Sequence, residues 1–222
     1  MELKQQPLEQ VLVLMHKEIK DLDMGVFYKV TDKQLLQDRN AIFKEVGIPA
    51  LEKNGFETAT FKTSWNGEYN KSTQGYSYQI SRVKEGQLLE TIDVHILKGE
   101  SWIQIYLNIF ELTPQIEDVS ILKNHEGLSF GNIQNSITKM RLRSVDDYNG
   151  PPLFYMLFLP EHKVGSYRTK SGYEAEINKL KKLIKSDMEN IEDFVKRWHE
   201  LHRPSLTDWE GNMALVPKRG HD

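Results

Sequence analysis

The chain has no cysteine, which excludes a disulfide scaffold, a thiolate metal site and a cysteine nucleophile. It has no long apolar run. The longest, Leu153 to Leu159, is seven residues, against the roughly 20 that a membrane helix needs. It has no excess of either charge. The 29 Lys and Arg face 32 Asp and Glu, and a net charge of -3 leaves no nucleic-acid footprint over the whole chain. The polar opening "MELKQQPLEQ" and the five-residue "VLVLM" do not make a signal peptide. No membrane and no nucleic-acid partner are expected, and the default location is the cytoplasm. Repeats and low-complexity segments are also missing. At 222 residues the chain is long enough for one large domain with a sizeable core.

What is present changes period along the chain. Leu8, Val11, Leu12, Met15, Ile19 and Leu22 recur at helical spacing, predicting a helix over 6–22 that stops at Gly25. A second helix, over 32–54, starts at the capping pair Thr31 and Asp32 and carries Leu35, Leu36, Ile42, Phe43, Val46 and Leu51. Gly47 and Pro49 should kink or break it. Asn54 or Gly55 should end it in the left-handed conformation. From 59 to 110 the period falls to two. "ATFKTSW", "YSYQISRV", "ETIDVHIL" and "SWIQIYLNIF" alternate between short turns, the signature of an antiparallel meander.

Register follows in part. A two-residue turn at Lys98 and Gly99 sets Val94 opposite Ile103 and Ile92 opposite Ile105. Asp93 then faces Gln104, and His95 faces Trp102. An odd loop at "KEGQ" is needed to keep Tyr78 and Ile80 on the side of Ile92 and Val94. Within 111–150, "TPQIED" and "NGPP" read as turns, and "GNIQNSITKMRLRSV" fits a short helix or a strand. "LFYMLFL", 153–159, reads as a buried strand. The stripe Ile177, Leu180, Ile184, Met188, Ile191, Val195, Trp198 and Leu201 predicts one helix over 172–202, capped by Ser171 and Glu174. A rod of about 45 Å exceeds a small sheet, so part of its stripe is expected to meet other helices or a second copy of the chain. The domain is placed at 1–203 and a tail at 204–222, pinned by Trp209 and Leu215.

Three groups of residues invite a functional reading. "GSYRTKSG" resembles a phosphate-binding loop, but Thr169 stands where the second glycine belongs. A looser anion site at the helix start, with Arg168 and Lys170, stays open beside plain capping. The polar sheet face should gather Asp93, His95, Trp102, Gln104 and Tyr106. A carboxylate two residues from a histidine can orient the imidazole as a general base, although no nucleophile is placed beside it. An ordinary polar face of an antiparallel sheet reads the same way. Trp65, Tyr69, Tyr76, Tyr78 and Trp102, interleaved with Asn66, Asn70 and Arg82, can serve a partner or the core. Tyr78 belongs to the core by alternation, and Arg82 can pair with Glu90 across the strands. His199 and His202 lack metal-ligand spacing and suit a helix C-terminus, so neither metal nor cofactor is expected.

Pro49, Leu51, Gly55, Phe56 and Phe61, followed by "YSYQISRV" and "IQIYLNI", resemble an uncharacterised bacterial family in which a helix precedes an antiparallel meander. The resemblance covers 39–112. It implies an α+β fold and brings no activity. The sequence as a whole reads as α+β: a meander of four or more antiparallel strands with helices on one face and a long C-terminal helix. Its expected function is that of a non-catalytic cytoplasmic protein binding a protein partner. The alternative is a hydrolase or transferase using Asp93 and His95, on a phosphate-bearing ligand held by Arg168 and Lys170.

Overall fold

The computed structural model describes residues 28–58, 65–85, 87–113, 115, 138–151, 154 and 159–207. The expected helix at 6–22, most of "ATFKTSW" and "LFYMLFL", and the residues beyond 207 lie outside them. The architecture is α+β, as the change of period predicts. Three long strands, β3 (Gly75–Lys84), β4 (Leu88–Leu97) and β5 (Gln104–Leu112), form an antiparallel meander. Short strands β1 (Glu57–Thr58) and β2 (Tyr69–Asn70) pair with β3, and β6 (Met140–Arg141) and β7 (Ser205–Thr207) pair with β5. Helices α1 (Asp32–Ile42), α2 (Ile48–Lys53), α3 (Lys170–Glu189) and α4 (Ile191–Leu201) contribute to the core on one face of this sheet.

Alternation sorts the two faces. Tyr78, Ile80, Ile92, Val94, Ile96, Ile105, Leu107 and Ile109 all point to the helices and are buried. Lys84 pairs with Leu88, which leaves a three-residue loop at Glu85–Gln87, the odd length that this sorting requires. The second hairpin differs from expectation by two positions: Val94 faces Ile105, Ile92 faces Leu107 and His95 faces Gln104. A shift of two preserves the faces, so the periodicity could not reveal it. Arg39 of α1 fills the opening that this register leaves. The guanidinium enters the end of the hairpin, donating to Leu97 O at 2.9 Å and to Trp102 O. Ser101–Ile103 leave β4 and bond instead to His162 and Val164, with Trp102 bridging Lys163.

The helical arm does not break at Gly47 and Pro49. It passes through a π-helical turn, Phe43–Gly47, in which Ile48 N–H reaches back to Phe43 O. The wider turn delivers Pro49 to the first turn of α2, where its missing N–H leaves no gap in the ladder. Gly55, with φ of 79°, supplies the left-handed ending. The Asn54 carboxamide donates to Ala50 O and Met188 O, closing α2 and α3 together.

The C-terminal stripe is not one rod. Asn190 (φ -109°, ψ 35°) separates α3 from α4, and its side chain bonds back to Ser186 O. The turn folds the stripe onto the core, so that Leu180, Ile184, Met188, Ile191, Val195 and Trp198 are all buried within the chain. The cap also moves. Thr169, not Ser171, accepts the Gly172 N–H, at 3.0 Å, and Glu174 lies near Lys170. Starting there sets Tyr173 against Tyr28 and Tyr167 and lets its hydroxyl donate to Asp38. Past Arg203, where a tail was expected, Ser205–Thr207 run parallel to Phe110–Leu112.

Candidate functional site

The face of the sheet turned away from the helices carries the residues singled out by alternation. Asp93 stands opposite Tyr106 and His95 opposite Gln104, and Gln79 lies across from Asp93 on β3. Asp93, Gln79, Ser81, Thr91 and Asn108 are buried. Buried polar groups need partners, and most of these have them. Lys139 Nζ approaches Asp93 at 3.0 Å, and Gln79 donates to the same carboxylate. His95 Nδ1 lies 3.2 Å from Ser77 Oγ, while its ring packs near Tyr106. Tyr106 donates to Gln104, whose amide donates to Glu100. Trp102 sits beside this group, and Arg141 and Lys163 each stand 4.7 Å from its ring centre.

Burial depresses the His95 pKa. Asp93 and Glu100 oppose this and Lys139 adds to it, so the imidazole is held neutral below its ordinary value. A neutral imidazole is what a general base requires. Its geometry does not follow through. Asp93 bonds Lys139 and Gln79 rather than orienting the histidine. The principal cavities lined by described residues have neither Asp93 nor His95 in their walls.

Arg168 and Lys170 are not brought to this face. They flank the start of α3, whose Tyr173 belongs to the core on the opposite side of the sheet. Both are exposed. The loop before them already holds a carboxylate of its own: Glu176 Oε2 accepts the Gly165 N–H at 3.1 Å and fills the space where a Cβ would lie. A phosphate at Gly165 would meet that negative charge.

Sequence reasoning missed a second buried cluster. Asp187 of α3 accepts two hydrogen bonds from Arg143, and His162 Nε2 lies 2.8 Å from its Oδ2. Burial raises the Asp187 pKa, but the bonds from Arg143 and His162 outweigh it and hold the carboxyl below its usual range. Arg143 carries φ of 55°, in a turn whose backbone N–H groups at 143 and 144 are held by Asp147. A cavity of about 410 Å³ opens beside it, walled by Asp147, Asp187, Asp193 and Arg197 among others. The legible signal was Asp187 inside the apolar stripe of α3. Among the described residues no group of three or more His, Asp or Glu could hold a metal ion, and no helix is long and apolar enough to cross a membrane.

Comparison with models of known protein families, with characterised proteins and with solved structures finds no match to this chain.

Proposed function

We propose that this chain is a non-catalytic binding protein. The observation that carries the reading is the pairing of the one acid–base couple that the sequence singles out: Asp93 is bound by Lys139 and Gln79, and His95 by Ser77. A reacting group would have to displace these partners. The hydrolase or transferase reading draws on a different observation, the neutral and partly buried His95. None of the cavities described above has His95 in its wall, and its phosphate-holding pair, Arg168 and Lys170, stands across the sheet. A protein partner is the occupant expected from the sequence, and the meander's resemblance to an uncharacterised bacterial family adds no chemistry to it.

The test is turnover. The chain is incubated at neutral pH with chromogenic carboxylic esters and phosphate monoesters, beside His95→Gln and Asp93→Asn variants. The expected rates equal the buffer background for all three proteins. A rate present in the natural chain and lost in both variants would overturn the proposal and install the enzyme reading.

A further inference from the structure

A second cavity differs from the others in its chemistry. It measures about 320 Å³ and is lined by Lys33, Leu36, Gln37, Tyr69, Tyr76 and Lys98. Three elements and a turn build it. Lys33, Leu36 and Gln37 follow one another at helical steps on α1, so they share a face. Tyr69 of β2 pairs directly with Tyr76 of β3, and the two rings meet edge-on at 5.6 Å. Lys98 comes from the β4–β5 turn, held there by its backbone N–H on Gln74 O. Leu36 is buried and forms an apolar floor.

Among the described residues the side chains of Lys33, Lys98, Gln37, Tyr69 and Tyr76 make no hydrogen bond or ion pair. The other cavities spend theirs internally: Arg143 on Asp187 and Arg197 on Glu200 in one, Lys163 on Glu161 and Lys179 on Glu176 in another, and Lys84 on Glu192 in a third. Each of those three also has carboxylates in its wall, and this one has none. Two lysines lining one small space with no carboxylate in its wall repel each other, and an anion between them reverses the sign of that interaction. The remaining groups, two phenol hydroxyls and a carboxamide, can all donate to it. A small site with an apolar floor and a few convergent polar groups is what a small molecule requires. The aromatic walls suit a planar ring, which prefers offset or edge contacts.

We propose that this cavity binds a small aromatic anion, an aryl phosphate or aryl carboxylate, with its charge between Lys33 and Lys98 and its ring against Tyr69, Tyr76 and Leu36. The site adds a small-molecule ligand to the protein partner of the binding reading above, and it rests on that reading only in taking the ligand to be held rather than converted.

Calorimetric titration of the full chain with phenyl phosphate, benzoate, inorganic phosphate and benzyl alcohol tests it. Phenyl phosphate and benzoate should bind. Inorganic phosphate should bind at least tenfold more weakly for want of the ring, and benzyl alcohol should not bind at all. Lys33→Gln and Lys98→Gln should each weaken phenyl phosphate about tenfold, or about 1.4 kcal/mol. Among the described residues these side chains have no hydrogen-bond or ion-pair partner, so the variants should keep the parent's unfolding midpoint. Absence of binding at millimolar aryl anion overturns the site, as does binding unchanged in the double Lys33→Gln, Lys98→Gln variant. Inorganic phosphate binding as tightly as phenyl phosphate also overturns it, by removing the ring from the ligand class. Phenol release is followed in the same samples. Binding with release would leave the site standing and sink the non-catalytic reading, whereas no binding and no release would do the reverse.

Discussion

Arg39 stands in the middle of an apolar stripe, four residues after Leu35 and three before Ile42. A charge at that position was the one visible sign that the stripe does more than pack. The side chain is fully buried, and its donors go to carbonyls, Leu35, Leu97 and Trp102, with no carboxylate among the described residues bonded to it. Burial accordingly pulls its pKa down to about 10. Two effects compete in Arg39→Met. Relief from burying a charge favours the variant. Leaving Leu97 O and Trp102 O without donors costs about 1–3 kcal/mol each. The second should win, with a net loss of roughly 1–3 kcal/mol in urea unfolding once that relief is subtracted, and a variant as stable as the parent would show that the hairpin end does not depend on the guanidinium. His95 gives a prediction of opposite character, in pH rather than in packing. Its folded pKa lies below the unfolded value of 6.5, so the unfolded chain binds the proton more readily. The stability that this contributes is complete above about pH 6.5 and is lost as pH falls toward the folded value. The groups facing it are Ser77, Asp93, Tyr106, Lys139 and Glu100. His95→Gln should flatten the fall in unfolding midpoint between pH 7.5 and pH 5.5, the residue of the slope coming from His202, which is shifted in the same direction. An unchanged slope would place the titration elsewhere.

At the scale of elements, helix α1 and strands β3 to β5 were legible because their periods are long and consistent. Ile103, Ile105, Leu107 and Ile109 all reach the core as alternation requires, and Arg82 bonds Glu90 across the strands. What failed was local. A stripe of apolar residues does not record the turn at Asn190, because a helix that stops and restarts keeps its apolar residues on the buried side. Two hydroxyls near one helix start, Thr169 and Ser171, left the cap to be decided by the tyrosine cluster behind it. The kink or break expected at Gly47 and Pro49 takes the form of a π turn, and there the glycine has a task that its sequence context only hinted at. A Cβ on Gly47 would lie 2.5 Å from the Phe43 ring and 3.3 Å from Ile184 of α3. Both neighbours are fully buried. Alanine gains up to about 1 kcal/mol in helix propensity over glycine, while overpacking a filled core costs about 1–3 kcal/mol. Gly47→Ala should therefore lower the thermal midpoint, and a raised midpoint would mean that α3 can retreat without cost.

For the whole molecule the decisive fact is that the sheet has two unlike sides. Alternation predicted both, and it placed Asp93, His95, Gln104 and Tyr106 together. It could not say that Lys139 would neutralise Asp93, since that lysine comes from a stretch with no clear period. Nor could it gather Lys33, Tyr69, Tyr76 and Lys98, which are distant in sequence and meet only when α1 packs across the end of the meander. The long apolar stripe was expected to meet other helices or a second copy of the chain, and from Leu180 to Trp198 it is buried within the chain's own core. That expectation rested on a helix too long for the sheet, with apolar surface left over. Asn190 removes the excess length, and the chain itself buries the stripe from Leu180 to Trp198, leaving Leu201 as its one exposed large member, 40% accessible. A single leucine is far short of the roughly 800 Å² per partner that a stable dimer buries. The chain should therefore sediment as a monomer at micromolar concentration. A dimer that Leu201→Lys dissociates would show that the end of α4, rather than the stripe, carries the contact. A dimer indifferent to that change would move the interface to another face, and the exposed Trp65 and Tyr69 are the side chains to alter next.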